Sequence, residues 1–107
     1  MKKQKIAFDV DGCLITTNNK PNYKVIELLK WFQGLGWEIY IHSGGGIDYA
    51  KMWADKLGLE SCRIVPKGSP DYEYDIVVDD AIDPEVSTIE GKKNIIKTKV
   101  FIKVWKK

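Results

Sequence analysis

Four short apolar segments of this chain lead into polar residues, and two amphipathic segments with helical spacing lie between the first three of them. The apolar segments cover residues 5–10, 37–42, 62–65 and 75–78, and the helical segments cover residues 23–33 and 48–57. Strands that are apolar throughout are typical of a parallel sheet that is buried on both faces. This order therefore predicts an α/β domain with a parallel sheet and helices on its faces.

Length and composition limit the kind of protein further. A chain of 107 residues has room for one domain, covering residues 1–107. Hydrophobic residues make up 44% and aromatic residues 11%, which excludes a disordered chain. No apolar run approaches the ~20 residues that cross a membrane, and no signal-peptide segment precedes Asp9. With only two cysteines, Cys13 and Cys62, we expect reduced thiols, a cytoplasmic location and no membrane partner.

The segment between the third and fourth strands is the least regular part of this pattern. Residues 66–74 are too few for a parallel crossover that contains a full helix. An extended chain of that length still spans three strand spacings, about 14 Å, so we expect an extended or single-turn connection. Beyond Asp80, a proline favours a helical turn at residues 85–89, and partial alternation favours a C-terminal strand at 94–105.

Polar residues follow all four predicted strands at their carboxyl ends. In parallel α/β sheets, ligands bind beyond these ends, where loops and helix N-termini meet. Each polar group by itself has a simple alternative explanation, because Asp and Gly end strands in many proteins. All four groups together predict a functional rim on one side of the sheet. The residues concerned are Asp9, Asp11, Ser43, Gly44, Lys67, Asp79 and Asp80.

The chemistry of this rim is that of a phosphoryl-transfer pocket. Asp9 and Asp11 are separated by one residue, so both carboxylates can face one pocket. Carboxylates from two strands, with a single histidine in the chain, favour a hard cation, Mg²⁺ rather than Zn²⁺. Ser43 and the amides of residues 44–46, at the start of the second helix, form an anion site. Lys67 can lie between the two sites as a positive charge for a phosphate oxygen.

Four short motifs of the chain resemble those of the haloacid dehalogenase-like hydrolases. Residues 8–14, Phe-Asp-Val-Asp-Gly-Cys-Leu, resemble the first motif, and residues 41–43, Ile-His-Ser, resemble the second. Lys67 is similar to the third motif by position, and residues 77–80, Val-Val-Asp-Asp, resemble the fourth. The resemblance covers residues 5–83. It implies a Rossmann-like three-layer sandwich with a central, mainly parallel sheet and no cap domain.

The resemblance further implies that the protein is a phosphoric monoester hydrolase. Asp9 would attack the phosphorus of the substrate and form an aspartyl-phosphate intermediate. Asp11 would protonate the leaving oxygen and then deprotonate the hydrolytic water. Mg²⁺ would be held by the Asp9 carboxylate, the backbone carbonyl of Asp11, and one of Asp79 and Asp80. Which of these two is the direct ligand stays open.

The resemblance also assigns the phosphate-binding groups. Ser43, with the Gly44 amide beside it, would hydrogen-bond the transferring phosphoryl group, and Lys67 would offset its charge. The short link after Lys67 is a departure from the family, and it leaves Lys51 on the second helix as the alternative third-motif lysine.

Two further residues of these motifs are expected in the core. Position 13 is Cys where the family usually has Thr or Val, and we expect Cys13 to pack beneath the loop. A cysteine phosphatase is excluded because the loop after Cys13 contains no arginine. His42 lies inside a predicted buried strand, so we expect a hydrogen-bonded core histidine rather than a catalytic group.

The spacing of the motifs leaves no room for a cap domain after the first motif or between the third and fourth. An open pocket admits a bulky phosphorylated substrate such as a nucleic-acid end. Closure over a nucleotide or sugar phosphate would instead need neighbouring subunits of a homo-oligomer. Residues 90–107 hold seven lysines and one glutamate, which is typical of a charged edge strand and is also suited to a phosphate backbone.

Two other classes of function remain as alternatives. The first is a binding or regulatory protein built on the same fold with little turnover. The second is a phospho-accepting receiver domain, which also gathers Asp, Ser or Thr, and Lys around Mg²⁺. A receiver carries its acceptor Asp on a middle strand, whereas the third predicted strand here ends in Val65-Pro66 without an acid.

Overall fold

The computed structural model describes residues 3–69 and 71–79, together with the backbone of residues 94–97. It contains the strands and helices that the sequence pattern predicts, in the same order. They are β1 (Lys5–Asp9), α1 (Tyr23–Gly34), β2 (Glu38–His42), α2 (Ile47–Lys56), β3 (Arg63–Ile64), β4 (Ile76–Asp79) and β5 (Asn94–Lys97). None of the helices in these ranges combines the length and apolar character needed to cross a membrane.

The five strands form one sheet in the order β3-β2-β1-β4-β5, and every neighbouring pair is parallel. The α/β class and the parallel sheet predicted from the sequence are therefore confirmed. The strand β1 lies in the middle of the sheet, between β2 and β4. Its last residue, Asp9, pairs with His42 of β2, and Phe8 pairs with Val78 of β4. The residues that end these three strands consequently lie side by side.

One face of the sheet is covered by both helices. Ile6 and Phe8 of β1 belong to the same buried cluster as Leu29 of α1 and Ala54 of α2. The buried residues of α1 recur at helical spacing, and full burial of a side chain such as Leu29 stabilises the fold by about 1.5–3 kcal/mol. Small alanines on α2 allow that helix to approach the sheet closely.

The opposite face of the sheet carries a second, smaller cluster. It consists of Ala7, Tyr40 and Val77 from the strands, together with Val65 and Tyr74 from the connection between β3 and β4. Within residues 3–69 and 71–79 this face is covered by an irregular segment rather than by a helix. The third layer implied by the family resemblance is therefore not present in this part of the chain.

The connection between β3 and β4 passes across β2 and β1, a distance of three strand spacings. Its described residues, 66–69 and 71–75, form turns and irregular backbone, as predicted. The strand predicted at residues 94–105 is found at Asn94–Lys97. Its remainder, and the helical turn predicted at 85–89, lie outside the described residues.

Candidate active site

Three acidic or basic side chains meet where β1 and β4 end. Asp9 is the last residue of β1 and Asp79 is the last residue of β4. Lys67 belongs to the connection between β3 and β4. Its Nζ lies 2.8 Å from Asp79 Oδ2 and 3.6 Å from Asp9 Oδ1. The side chains of Asp9, Lys67 and Asp79 are 7%, 11% and 0% exposed. One buried ammonium group thus contacts carboxylates from two different strands.

The two carboxylates of this cluster come from different strands. Asp9 and Asp79 each lie within ion-pair distance of the one ammonium group of Lys67. Carboxylate oxygens that converge in this way are donors of the kind that Mg²⁺ prefers.

The donor set predicted for the cation is only partly within the described residues. It comprises the Asp9 carboxylate, the Asp11 carbonyl and one carboxylate of the Asp79-Asp80 pair, and Asp80 lies outside them. Within residues 3–69 and 71–79, no three His, Cys, Asp or Glu side chains are grouped as metal ligands. A site with two carboxylates and a backbone carbonyl does not require such a group, so the residues present fit a Mg²⁺ ion.

His42 lies beside this cluster and is fully buried. Burial lowers the pKa of His42 to about 4, and the nearby Lys67 lowers it too, whereas Asp79 acts in the opposite direction. His42 Nε2 is 4.0 Å from Asp79 Oδ2, and its ring packs edge-on against Tyr74. Because the imidazole is neutral at pH 7, this contact is not an ion pair under ordinary conditions.

Folding stability is expected to fall between about pH 6.5 and pH 4 because of His42. The unfolded chain binds a proton on His42 near pH 6.5, and the folded protein does so only near pH 4. Lowering the pH through this window therefore favours the unfolded state, by about 2–3 kcal/mol in total. Urea unfolding at a series of pH values measures this loss.

The matched variant for that experiment is His42→Gln, which keeps a polar side chain without a titrating ring. The free energy of unfolding of this variant is expected to decline less over the same pH range. Residue 42 no longer titrates, so only the remaining titratable groups of the protein contribute. Parallel curves for the two proteins would contradict the assignment of the loss to His42.

The loop from β2 to α2 lies next to Asp9, since Ser43 directly follows the residue that pairs with Asp9. Ser43 is buried, and its Oγ accepts a hydrogen bond of 3.0 Å from the amide of Gly45. The hydroxyl keeps its own proton to donate elsewhere. Gly46 has a φ of 102°, a left-handed conformation that favours glycine, and it precedes α2 without a side-chain cap.

In this loop the amides of Gly45 and Gly46 already donate to Ser43 Oγ and to the Ser43 carbonyl, at 3.0 and 3.1 Å, so two of the three amides predicted for the anion site are engaged within the loop. The first N–H groups of a helix have no partner within the helix, and they carry the positive end of its dipole. Gly44 and its glycine neighbours are exposed, and a Cβ at Gly44 would meet no atom within 4 Å. The loop is therefore open to an anion approaching from the rim.

Asp11 lies beyond the end of β1 and is exposed at the rim. Its Oδ1 accepts a hydrogen bond of 2.7 Å from the hydroxyl of Tyr49 on α2. This hydrogen bond raises the pKa of Tyr49 above its ordinary value, so the phenol remains a donor at neutral pH. Sequence reasoning did not identify Tyr49, because nothing in the local pattern distinguishes it from other aromatic residues on an amphipathic helix.

Cys13 lies in the core as predicted, and the position of Lys51 decides between the two candidate lysines. Cys13 is fully buried in the helix-side core, and its thiol donates to the carbonyl of Val78 at 3.4 Å. Lys51, the alternative to Lys67, is exposed and pairs with Asp55 one turn further along α2. Lys67, not Lys51, is thus the lysine that contacts the acidic residues of the rim.

Similarity to known proteins gives no further indication of the function of this chain. Comparison with protein-family models, with curated proteins and with solved structures finds no match to it. What the protein does must therefore be argued from the arrangement of these residues.

Proposed function

We propose that this protein is a Mg²⁺-dependent phosphatase of the haloacid dehalogenase-like class, which hydrolyses a phosphomonoester through an aspartyl-phosphate on Asp9. The observation that carries the proposal is the ion pairing of Lys67 with both Asp9 and Asp79. These residues belong to the first, third and fourth motifs of the resemblance. The second motif supplies Ser43, in the loop that follows the neighbouring strand β2.

The proposed reaction has two steps, both centred on phosphorus. First, a carboxylate oxygen of Asp9 attacks the phosphorus while the bond to the leaving oxygen breaks. The leaving oxygen keeps that electron pair and takes a proton from Asp11. Water then attacks the phosphorus of the acyl phosphate, Asp11 accepts a proton from it, and the Asp9 carboxylate departs with the bonding pair. Inorganic phosphate is released, and both aspartates return to their starting forms.

The groups around Asp9 would stabilise the negative charge of the transferring phosphoryl group. The hydroxyl of Ser43 and the amides at the start of α2 would donate hydrogen bonds to its oxygens. Lys67 would offset its charge, while keeping the Asp9 carboxylate in place through their ion pair. Residues 44–46 of this loop are exposed, so they would be accessible to a terminal phosphate group.

Magnesium would be held by the Asp9 carboxylate, the backbone carbonyl of Asp11 and a carboxylate of the Asp79-Asp80 pair. When bound there, the ion would withdraw negative charge from the phosphoryl oxygens.

The substrate class in this proposal rests on the short spacing between the motifs, which leaves no room for a cap domain. In the described part of the chain, Asp11 and α1 are separated only by a small hairpin around Ile15 and Pro21. Such a rim would admit a bulky phosphomonoester, for example a nucleic-acid end, or a nucleotide or sugar phosphate enclosed by a second subunit. The enzyme would act in the cytoplasm, where thiols stay reduced.

Hydrolysis of para-nitrophenyl phosphate in the presence of Mg²⁺ tests the proposal. We expect turnover that is lost on chelation of the metal and restored by adding Mg²⁺ back, because the ion would offset the negative charge of the transferring phosphoryl group. Absence of turnover on this and on a panel of phosphomonoesters would overturn the phosphatase proposal. It would leave the binding or regulatory alternative.

The same panel separates the substrate classes. It should include 3′- and 5′-phosphorylated oligonucleotides, nucleotides and sugar phosphates. A preference for oligonucleotides that weakens with added salt would indicate contacts with the phosphate backbone. A stable phosphoprotein that forms only with a phosphate donor and does not turn over would instead favour the receiver alternative.

A further inference from the structure

Tyr49 connects two parts of the rim that are distant in the sequence. It lies in the first turn of α2, and its hydroxyl donates to Asp11 Oδ1 at 2.7 Å. Asp11 is otherwise exposed, on a loop that also contains Gly12 in a left-handed conformation. A phenol has few rotatable bonds and is held by its helix, so it restricts where this carboxylate can point.

The ring of Tyr49 occupies the place that a side chain at position 45 would need. A Cβ built on Gly45 would lie 2.9 Å from Tyr49 Cδ2 and 3.1 Å from its Cγ. The amide of the same glycine donates to Ser43 Oγ. The loop of residues 43–46 therefore lies against the Tyr49 ring, and the Tyr49 hydroxyl in turn contacts Asp11. The absence of a side chain at Gly45 leaves room for the ring in this position.

We propose that Tyr49 is a positioning residue that holds the Asp11 carboxylate for its role as a base, and that Gly45 lacks a side chain so that Tyr49 can reach Asp11. This inference rests on the proposed phosphatase function and deepens it. An ionised carboxylate accepts hydrogen bonds, so the Tyr49 hydroxyl can hold Asp11 Oδ1 in one orientation. The oriented carboxylate is the group that accepts the proton of water when the aspartyl-phosphate is hydrolysed.

The inference predicts an unequal effect of Tyr49→Phe on the two steps. With para-nitrophenyl phosphate the leaving group needs little protonation, so kcat/KM, which reports formation of the aspartyl-phosphate, is expected to stay within about two-fold. The second step is expected to slow, lowering kcat about ten-fold and KM with it. The fraction of enzyme that carries covalent phosphate during turnover should rise accordingly.

A role of Tyr49 in structure alone would give a different result. Loss of correctly folded protein lowers kcat and kcat/KM by the same factor and leaves KM unchanged. That outcome, or no change in either constant, would overturn the inference while leaving the phosphatase proposal intact. The control is Tyr23→Phe, which removes a phenol that is 68% exposed on α1, and neither constant should change.

Gly45→Ala tests the second half of the inference. The φ of Gly45 is not positive, so alanine fits the backbone, and the added methyl must displace the Tyr49 ring. We expect the double variant with Tyr49→Phe to lower kcat no further than Gly45→Ala alone, since both changes remove the same hydrogen bond. Additive losses would contradict a shared cause.

A measurement that does not depend on turnover completes the test. Crystal structures of the wild-type protein and of Tyr49→Phe should show the Asp11 carboxylate directed at residue 49 in the first and turned away in the second. An unchanged carboxylate would overturn the inference even if the enzyme is active. An inactive wild-type protein would overturn the proposed function, whatever the two structures show.

Discussion

Replacing Lys67 with methionine is expected to lower the free energy of unfolding at pH 7 by about 3–5 kcal/mol, which is typical of breaking a buried ion pair by removing one partner. Methionine retains most of the length of the lysine side chain but has no charge. The carboxylates of Asp9 and Asp79 would then remain in a buried site without the ammonium group that lies 3.6 Å and 2.8 Å from them. Chemical denaturation measures the change.

A comparison with the other candidate lysine makes this prediction specific. Lys51→Met removes a lysine that is 64% exposed and pairs with Asp55 at 3.6 Å, so we expect a change of no more than about 0.5 kcal/mol. Equal effects of the two substitutions would mean that Lys67 does not bridge buried carboxylates.

Replacing Asp9 with asparagine is expected to reduce phosphatase activity at least about a thousand-fold, the scale seen when a covalent nucleophile is removed. Asparagine has nearly the same shape, but its amide cannot form the acyl phosphate. Turnover of para-nitrophenyl phosphate measures the loss. Mass spectrometry of acid-quenched protein should find one added phosphate on the wild-type enzyme and none on Asp9→Asn.

Asp9→Asn should remain folded, which separates a catalytic defect from a structural one. Lys67 keeps its shorter ion pair with Asp79, and asparagine has nearly the same shape as the aspartate that it replaces. The control is Asp55→Asn, at an exposed position near the end of α2, which should retain full activity. Retained activity in Asp9→Asn would mean that another residue carries the nucleophile.

Most of the fold could be predicted because the relevant signals are local. The apolar run of β1 and the helical spacing of Val25, Ile26 and Leu29 are readable in any short window of the sequence. The irregular backbone of the described residues between β3 and β4, 66–69 and 71–75, was predictable from the length of that segment. The face of the sheet on which each helix packs was harder to predict from the sequence. It depends on the order of the strands in the sheet, which is not a local property.

The candidate site was partly predictable for the same reason. Asp9 and Asp79 are the last residues of their strands, and Ser43 directly follows one. Parallel strands bring their carboxyl ends to one edge, so the proximity of these residues was implied by the fold class. The choice between Lys67 and Lys51 was not implied, because both are lysines near the predicted rim. Only the path of the β3–β4 connection across the sheet decides which of them meets the acids.

The sequence by itself determined the parallel α/β class, the order of its elements and the set of polar residues at their ends, because hydrophobic periodicity and strand termination are properties of neighbouring residues. Tertiary structure alone decided the bridging position of Lys67, the lowered pKa of His42 and the pairing of Tyr49 with Asp11. These depend on distance and burial between segments far apart in the chain, where electrostatic and hydrogen-bonding energies change steeply over a few ångströms.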